Sequence, residues 1–531
     1  MNEKGDPIAG RAEALLLCGF DGTTADGMSD GLLAECAGVV LFARNLETAE
    51  QSAALTSALR KRFEERSALP PIVAIDEEGG TVSRIGAFGT AMPSAMALGA
   101  TGDPQLTHDV YKTIGEELTA LGVTLDFAPV ADANTNPRNP VIGVRSFGDQ
   151  PIASMHVPAA IAGLHDAGVA AAAKHFPGHG DASVDSHEAL PVIEHGAARL
   201  REIELAPFRA AIAAGVDVVM AAHVAVPTID PSGSPASLSR PVLTGLLREE
   251  LGFDGVICTD CLEMGAIAGR YPPGEEAVLA IEAGADLVTY SSSADAVRAA
   301  VRAIRDAVGT GRLDRKRVER SIERVAKLRR GFRPSAAPPL ASVGAKPHRD
   351  VALAAARRAM TIVRDPASIL PLRLSTGDKI FLVQFADDAH SPAQTGKTST
   401  QLGALLAKGP ARVHEQVRSL EPAGHEYKQL LMAAASATVI VAVTRRAWAH
   451  PLQARAVGDL ALAGKPLVVV AAREPYDASD APAGAAVLAA YGDDAASTQA
   501  TAEVLLGAQP ALGKLPVTLD GCAFADENVT R

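Results

Sequence analysis

Between residues 14 and 291 one pattern recurs eight times: a short apolar run followed by a stretch with helical periodicity. The runs lie at 14–20, 38–43, 71–76, 124–130, 169–176, 216–223, 254–260 and 285–291. Each is continuously apolar rather than alternating, which predicts strands buried on both faces. Strands alternating with helices read as parallel βαβ units. Eight such units in roughly 250–300 residues predict an α/β fold of the (β/α)₈ (TIM) barrel type.

A barrel gathers its chemistry at the C-terminal ends of its strands. Asp76, Lys174, His175, His223 and Asp260 fall at or near five of those ends. One polar residue there only marks where a strand stops. Five of complementary type on one face predict an active site. For His223 a structural strand-end role has equal standing.

The remaining chain is too long to belong to the same core, because 531 residues call for two large domains or three small ones. A Pro-, Ala-, Ser- and Gly-rich stretch at 334–347 follows a charged amphipathic helix at 313–330 and reads as a linker. The expected division is a barrel at 1–333, a linker at 334–347 and a second domain at 348–531. Apolar runs at 380–385, 438–443, 466–472 and 486–491 predict a smaller α/β sandwich with a mainly parallel sheet.

Charge limits the partners. A net charge of −12 argues against nucleic-acid binding. No segment reaches the length of a membrane span, and the N-terminus lacks the pattern of a signal peptide, so a cytoplasmic location without membrane association is expected. The five cysteines, Cys18, Cys36, Cys258, Cys261 and Cys522, are scattered and suit a reducing compartment. The CxxC spacing of Cys258 and Cys261 has no second pair to complete a zinc site and reads as small residues at a strand end.

The densest polar cluster is KHFPGHGDASVDSH, residues 174–187. It supports three readings. As a metal site, His175 and His179 have zincin-like spacing, but Pro177 and Gly178 break the helix that spacing requires. A loop-borne metal-dependent hydrolase stays open as an alternative. As structure, His179 and Asp181 would hold a Gly-rich turn. As acid/base chemistry, Asp185 and His187 stand two apart. A carboxylate on one ring nitrogen fixes the tautomer and raises the basicity of the other. Asp260 is then a candidate nucleophile.

With DEEGGTVSR (76–84) before it and TDCLEM (259–264) after it, this string resembles glycoside hydrolase family 3, and within it the bacterial β-N-acetylhexosaminidases of cell-wall recycling. GVVLFARN (38–45), NTNPRNPVIGVRSFG (134–148), the 235–260 segment and AGADLV (283–288) extend the resemblance over the barrel. ARRAMTIVRD (356–365) and GKLPV (513–517) extend it over the second domain. The resemblance implies Asp260 as nucleophile, His187 as acid/base and Asp185 as its dyad partner. It implies that Asp76, Arg84, Arg145, Lys174 and His175 bind a terminal N-acetylglucosamine, with His223 as a further candidate. No cofactor is implied. The substrate would be a small carbohydrate, such as a muropeptide fragment. Within the same family, a phosphorylase acting on N-acetylglucosaminides or glucosides and a β-glucosidase are alternatives. The sequence departs from the family pattern at Glu77, Thr81, Cys261 and the segment after the eighth strand.

Overall fold

The computed structural model describes residues 9–332, 338–386 and 401–519. Cys522 lies outside them. Eight parallel strands close into a barrel in sequence order: β1 (Leu16–Cys18), β2 (Gly38–Leu41), β3 (Ile72–Ile75), β4 (Leu125–Asp126), β5 (Ala170–Phe176), β6 (Val218–Ala221), β7 (Val256–Cys261) and β8 (Leu287–Tyr290). β1 pairs with β8 to complete the ring. Seven of the strands lie within their predicted runs, and β7 runs one residue past its own, to Cys261.

The barrel has two cores. Leu17, Val40, Ala74, Ala172, Met220, Cys258 and Leu287 fill its interior. The opposite strand faces, with residues such as Val73, Ala171, Val219 and Ile257, pack against the surrounding helices. Both faces are buried, which is why the runs are continuously apolar.

The alternation also aims the chemistry, because residues two apart on a strand share a face. Ile72 and Ala74 point inward, so Asp76 continues the inward row beyond β3. Ala170 and Ala172 do the same for Lys174 on β5, and Val256 and Cys258 for Asp260 on β7.

The second domain has a six-stranded sheet in the order β11–β10–β12–β13–β14–β9. Its strands are β9 (Thr361–Arg364), β10 (Lys379–Phe385), β11 (Arg412–Arg418), β12 (Val439–Thr444), β13 (Leu467–Ala471) and β14 (Ala486–Ala489). All neighbours are parallel except β9, which runs antiparallel to β14. Separate apolar clusters cover the sheet's two faces. The four predicted strands are present, and β9 and β11 are additions at the two edges. β11 (RVHEQVR) is largely exposed and carries charge, as an edge strand must to discourage further pairing, so it shows no apolar run.

The expected linker is partly structured. Residues 333–337 lie outside the described chain, but a short 3₁₀ turn covers Leu340–Ser342 and a helix begins at Lys346. The Gly344 amide (2.9 Å) and His348 Nδ1 (2.8 Å) both bond Glu117 Oε1 on a barrel helix, tying this segment down. Among the described residues no helix is long and apolar enough to cross a membrane.

Candidate active site

A cavity of about 550 Å³ opens at the C-terminal end of the barrel. Asp76, Arg84, Arg145, Lys174, His175, His187 and Asp260 all line it. They come from different strands and loops, and only ring closure brings them together.

A chain of buried ion pairs forms one wall. Lys174 Nζ donates to Asp76 Oδ1 at 2.7 Å and contacts Glu78 Oε1 at 2.6 Å. Arg145 holds Glu78 with two bonds, Nε to Oε2 at 2.8 Å and Nη2 to Oε1 at 2.9 Å. Arg84 Nη2 lies 3.8 Å from Asp76. Glu78 and Lys174 are each 2% exposed. Burial alone would push the Glu78 carboxyl up, but the charges of Arg145 and Lys174 hold it well below the usual carboxylate range. Glu78 was not singled out in the sequence. Its signal was its place two residues after Asp76, on the same inward row.

Glu77, between them, faces away from the cavity. Its Oε2 accepts from the amides of Arg84 (2.6 Å) and Ile85 (3.1 Å), shaping the loop that presents Arg84. Burial raises its carboxyl to about 7, against the bonds from Ser83, Arg84 and Ile85.

The ladder irregularity between Lys174 and Phe176 lets consecutive residues Lys174 and His175 reach the same wall. His175 Nδ1 meets Asp132 Oδ2 at 2.8 Å, and its Nε2 lies 3.3 Å from Arg145 Nη2. Asp132 also accepts from the amides of His175 and His179. It is therefore a second organising residue that sequence reading missed, because nothing local distinguishes it in the β4 loop.

The 177–190 loop carries the proposed acid/base pair. Asp185 Oδ1 accepts from the His187 amide (2.9 Å) and contacts His187 Nδ1 at 2.7 Å. Asp185 is not on the cavity wall and stands behind the ring. Burial depresses the His187 pKa, but the bond and charge of Asp185, helped by Asp260, hold it above the ordinary histidine value. His179 Nε2 lies 3.1 Å from Ser186 Oγ, and Asp181 contacts His195 at 2.6 Å and Thr135 at 2.9 Å. Both sit in the turn they were expected to shape.

Asp260 is half-buried and its desolvation disfavours the charge, yet His223, His175 and His187 nearby and the Cys261 amide at 2.7 Å keep its pKa low. A carboxyl so held is ionised at neutral pH, the state that would suit a nucleophile. A ladder irregularity between Cys258 and Cys261 puts Cys261 on the wall as well, with its thiol pushed up to about 12 by burial. Glu263 accepts from the amides of Ser292 and Ser293 at 2.9 Å, holding the segment after β8.

His223 is not among the cavity-lining residues. It lies two residues beyond the end of β6, close enough to Asp260 for their charges to interact. Its ring is 0% exposed, with Nδ1 on Ser237 Oγ (2.7 Å) and Nε2 on the Cys261 carbonyl (2.8 Å). These bonds match the structural role rather than sugar contact.

The histidines do not converge as ligands either. His175, His179 and His187 each engage a different neighbour. Among the described residues no group of three or more His, Cys, Asp or Glu side chains is arranged to hold a metal ion.

Residues 29–328 match the N-terminal domain of glycosyl hydrolase family 3. β-Hexosaminidase A of Pseudoalteromonas piscicida is 32% identical over 91% of this chain and 89% of its own length. A β-hexosaminidase of Alkalilimnicola ehrlichii is 37% identical over 55% of this chain and 84% of its own. Among solved structures, a family 3 β-N-acetylglucosaminidase from a Paenibacillus species superposes with a TM-score of 0.89 at 37% identity, covering 97% of this chain and 99% of that one.

Proposed function

Because the chain belongs to glycosyl hydrolase family 3 and is a glycoside hydrolase, we propose that it removes terminal N-acetylglucosamine from peptidoglycan-derived fragments with retention of configuration. The carrying observation is the His187–Asp185 contact beside Asp260. Asp185 occupies Nδ1, so the other ring nitrogen is left for the cavity that Asp260 also lines. The names of the relatives support the sugar, and the four free thiols among the described residues suit a cytoplasmic setting.

The reaction then runs in two displacements. Protonated His187 gives its proton to the glycosidic oxygen as Asp260 attacks the anomeric carbon. The aglycone leaves as an alcohol and the sugar stays as an ester of Asp260. Neutral His187 next takes a proton from water, the hydroxide attacks the same carbon, and Asp260 is released. Most glycosidases use a carboxylic acid where this one uses an imidazole. Asp76 and Glu78 accept from sugar hydroxyls, while Arg84, Arg145 and Lys174 donate.

The first displacement needs protonated His187, so kcat/KM falls as pH rises through its pKa. Asp185 raises that pKa. Asp185→Asn removes the raising charge, so the alkaline limb moves to lower pH and the rate at neutral pH drops. A limb that stays in place would mean that another group is the acid.

The acceptor is tested by product analysis. An aryl β-N-acetylglucosaminide in phosphate buffer is expected to yield free N-acetylglucosamine. Accumulating sugar 1-phosphate would make the enzyme a phosphorylase, and faster cleavage of the matching glucoside would make it a glucosidase.

A further inference from the structure

One ion pair of the second domain bears on a barrel loop whose residues line the cavity. β12 and β13 are parallel neighbours, and the turn after each carries a charged residue toward the barrel. Arg446, after β12, has a left-handed backbone with φ 53°. Glu474 follows β13. Both are nearly buried, at 7% and 3% exposure. Arg446 Nε and Nη2 donate to Glu474 Oε1 at 3.2 and 3.0 Å.

Each partner also grips the barrel loop after β4. Arg446 Nη1 donates to the Pro140 carbonyl at 2.8 Å, and Glu474 Oε1 accepts from the Val144 amide at 3.3 Å. Between these grips lie Val141 and Ile142, which line the cavity. Arg145 comes next, and its Nη1 donates back to the Val141 carbonyl at 3.1 Å. The fit leaves no slack. Gly143 has φ +46°, and a Cβ there would sit 1.8 Å from Glu474 Oε1.

A buried ion pair adds little net stability compared with apolar residues of the same volume, because desolvation offsets the attraction. Fixing geometry is the better-founded use. We propose that the Arg446–Glu474 pair is a positioning device for the barrel site: it clamps the 140–144 turn and thereby holds Arg145 against Glu78 and the cavity wall. This inference rests on reading the cavity as the sugar site. Burial opposes the Glu474 charge, but Arg446 keeps its carboxyl below the ordinary range, so the clamp stays ionised at neutral pH.

The test uses the full-length enzyme, an aryl β-N-acetylglucosaminide and N-acetylglucosamine as inhibitor. Glu474→Gln loosens the clamp from one side and Gly143→Ala from the other. Both are expected to raise KM and the inhibition constant about ten-fold, since small misplacements of a binding group are costly. The pH profile of kcat stays put, because His187 and Asp185 are untouched. Combining Glu474→Gln with Arg145→Lys adds no further KM loss beyond Arg145→Lys alone, as residues acting through one another are non-additive. The single tryptophan, Trp448, lies with its ring 5.9 Å from the Arg446 guanidinium, so its emission reports the state of the clamp. An unchanged KM in a folded variant, or full additivity with Arg145→Lys, overturns the proposal. If Glu474→Gln does not fold, Gly143→Ala and Arg446→Lys decide the question alone. Wild-type enzyme inactive on the glycoside would instead overturn the proposed function, whatever the variants do.

Discussion

Asp260→Ala and Asp260→Asn enzymes are expected to lose about three to five orders of magnitude in kcat, because no covalent intermediate can form and the remaining site only binds and polarises. The expectation follows from where the carboxylate sits. It ends the inward row of β7, it is ionised despite partial burial, and its charge is felt by the imidazole across the same cavity. The loss must fall on kcat, with substrate still bound by the Asp76–Lys174–Glu78–Arg145 wall. Single-turnover kinetics on the aryl N-acetylglucosaminide checks it. Near-normal turnover in either variant would show that another group is the nucleophile. A fluorinated, slowly hydrolysed glycoside should label wild-type enzyme with one sugar mass on the peptide containing Asp260 and leave Asp260→Asn unlabelled.

Glu78→Leu is the second large effect, and it falls on stability. Among the described residues Glu78 is the one carboxylate paired with both Arg145 and Lys174, so removing it leaves the buried Arg145 without its carboxylate and Lys174 with Asp76 alone. Breaking a buried pair from one side costs about 3–5 kcal/mol. For a domain of this size that lowers the barrel's unfolding midpoint by about 4–7 °C. The pH dependence has a definite sign. A carboxyl held below its unfolded pKa contributes stability above that unfolded value and loses it as pH falls through the folded one. The difference between wild type and Glu78→Leu should therefore be full at neutral pH and shrink in acid. Thermal melts at neutral and acid pH measure both. A Glu78→Leu protein that melts with wild type at neutral pH would show that the wall is not held together by this residue.

The strands and side chains behind these two effects differ in how visible they are in the chain. The barrel was legible because burial on both faces leaves an uninterrupted apolar run, and each of the eight runs holds a strand, with β7 alone extending one residue past its run. β9 and β11 were not, because edge strands have solvent on one side and need no such run. Asp260, Asp76 and Lys174 were legible as polar residues ending apolar strands. His223 met the same criterion, yet both of its ring nitrogens are taken up by Ser237 and the Cys261 carbonyl, partners that lie 14 and 38 residues along the chain. Glu78, Asp132 and Glu474 went unread for a common reason. Their partners lie far along the sequence, at positions such as Arg145, His175 and Arg446.

The sequence by itself determined the barrel, the face where chemistry collects and the local Asp185–His187 pair, because strand period and i, i+2 spacing are short-range properties of a chain. Only the tertiary structure decided which polar residues share the cavity, how the buried charges balance and that the second domain grips the Arg145 loop. Those depend on ring closure and on contacts such as Arg446 to Pro140, which no local pattern encodes.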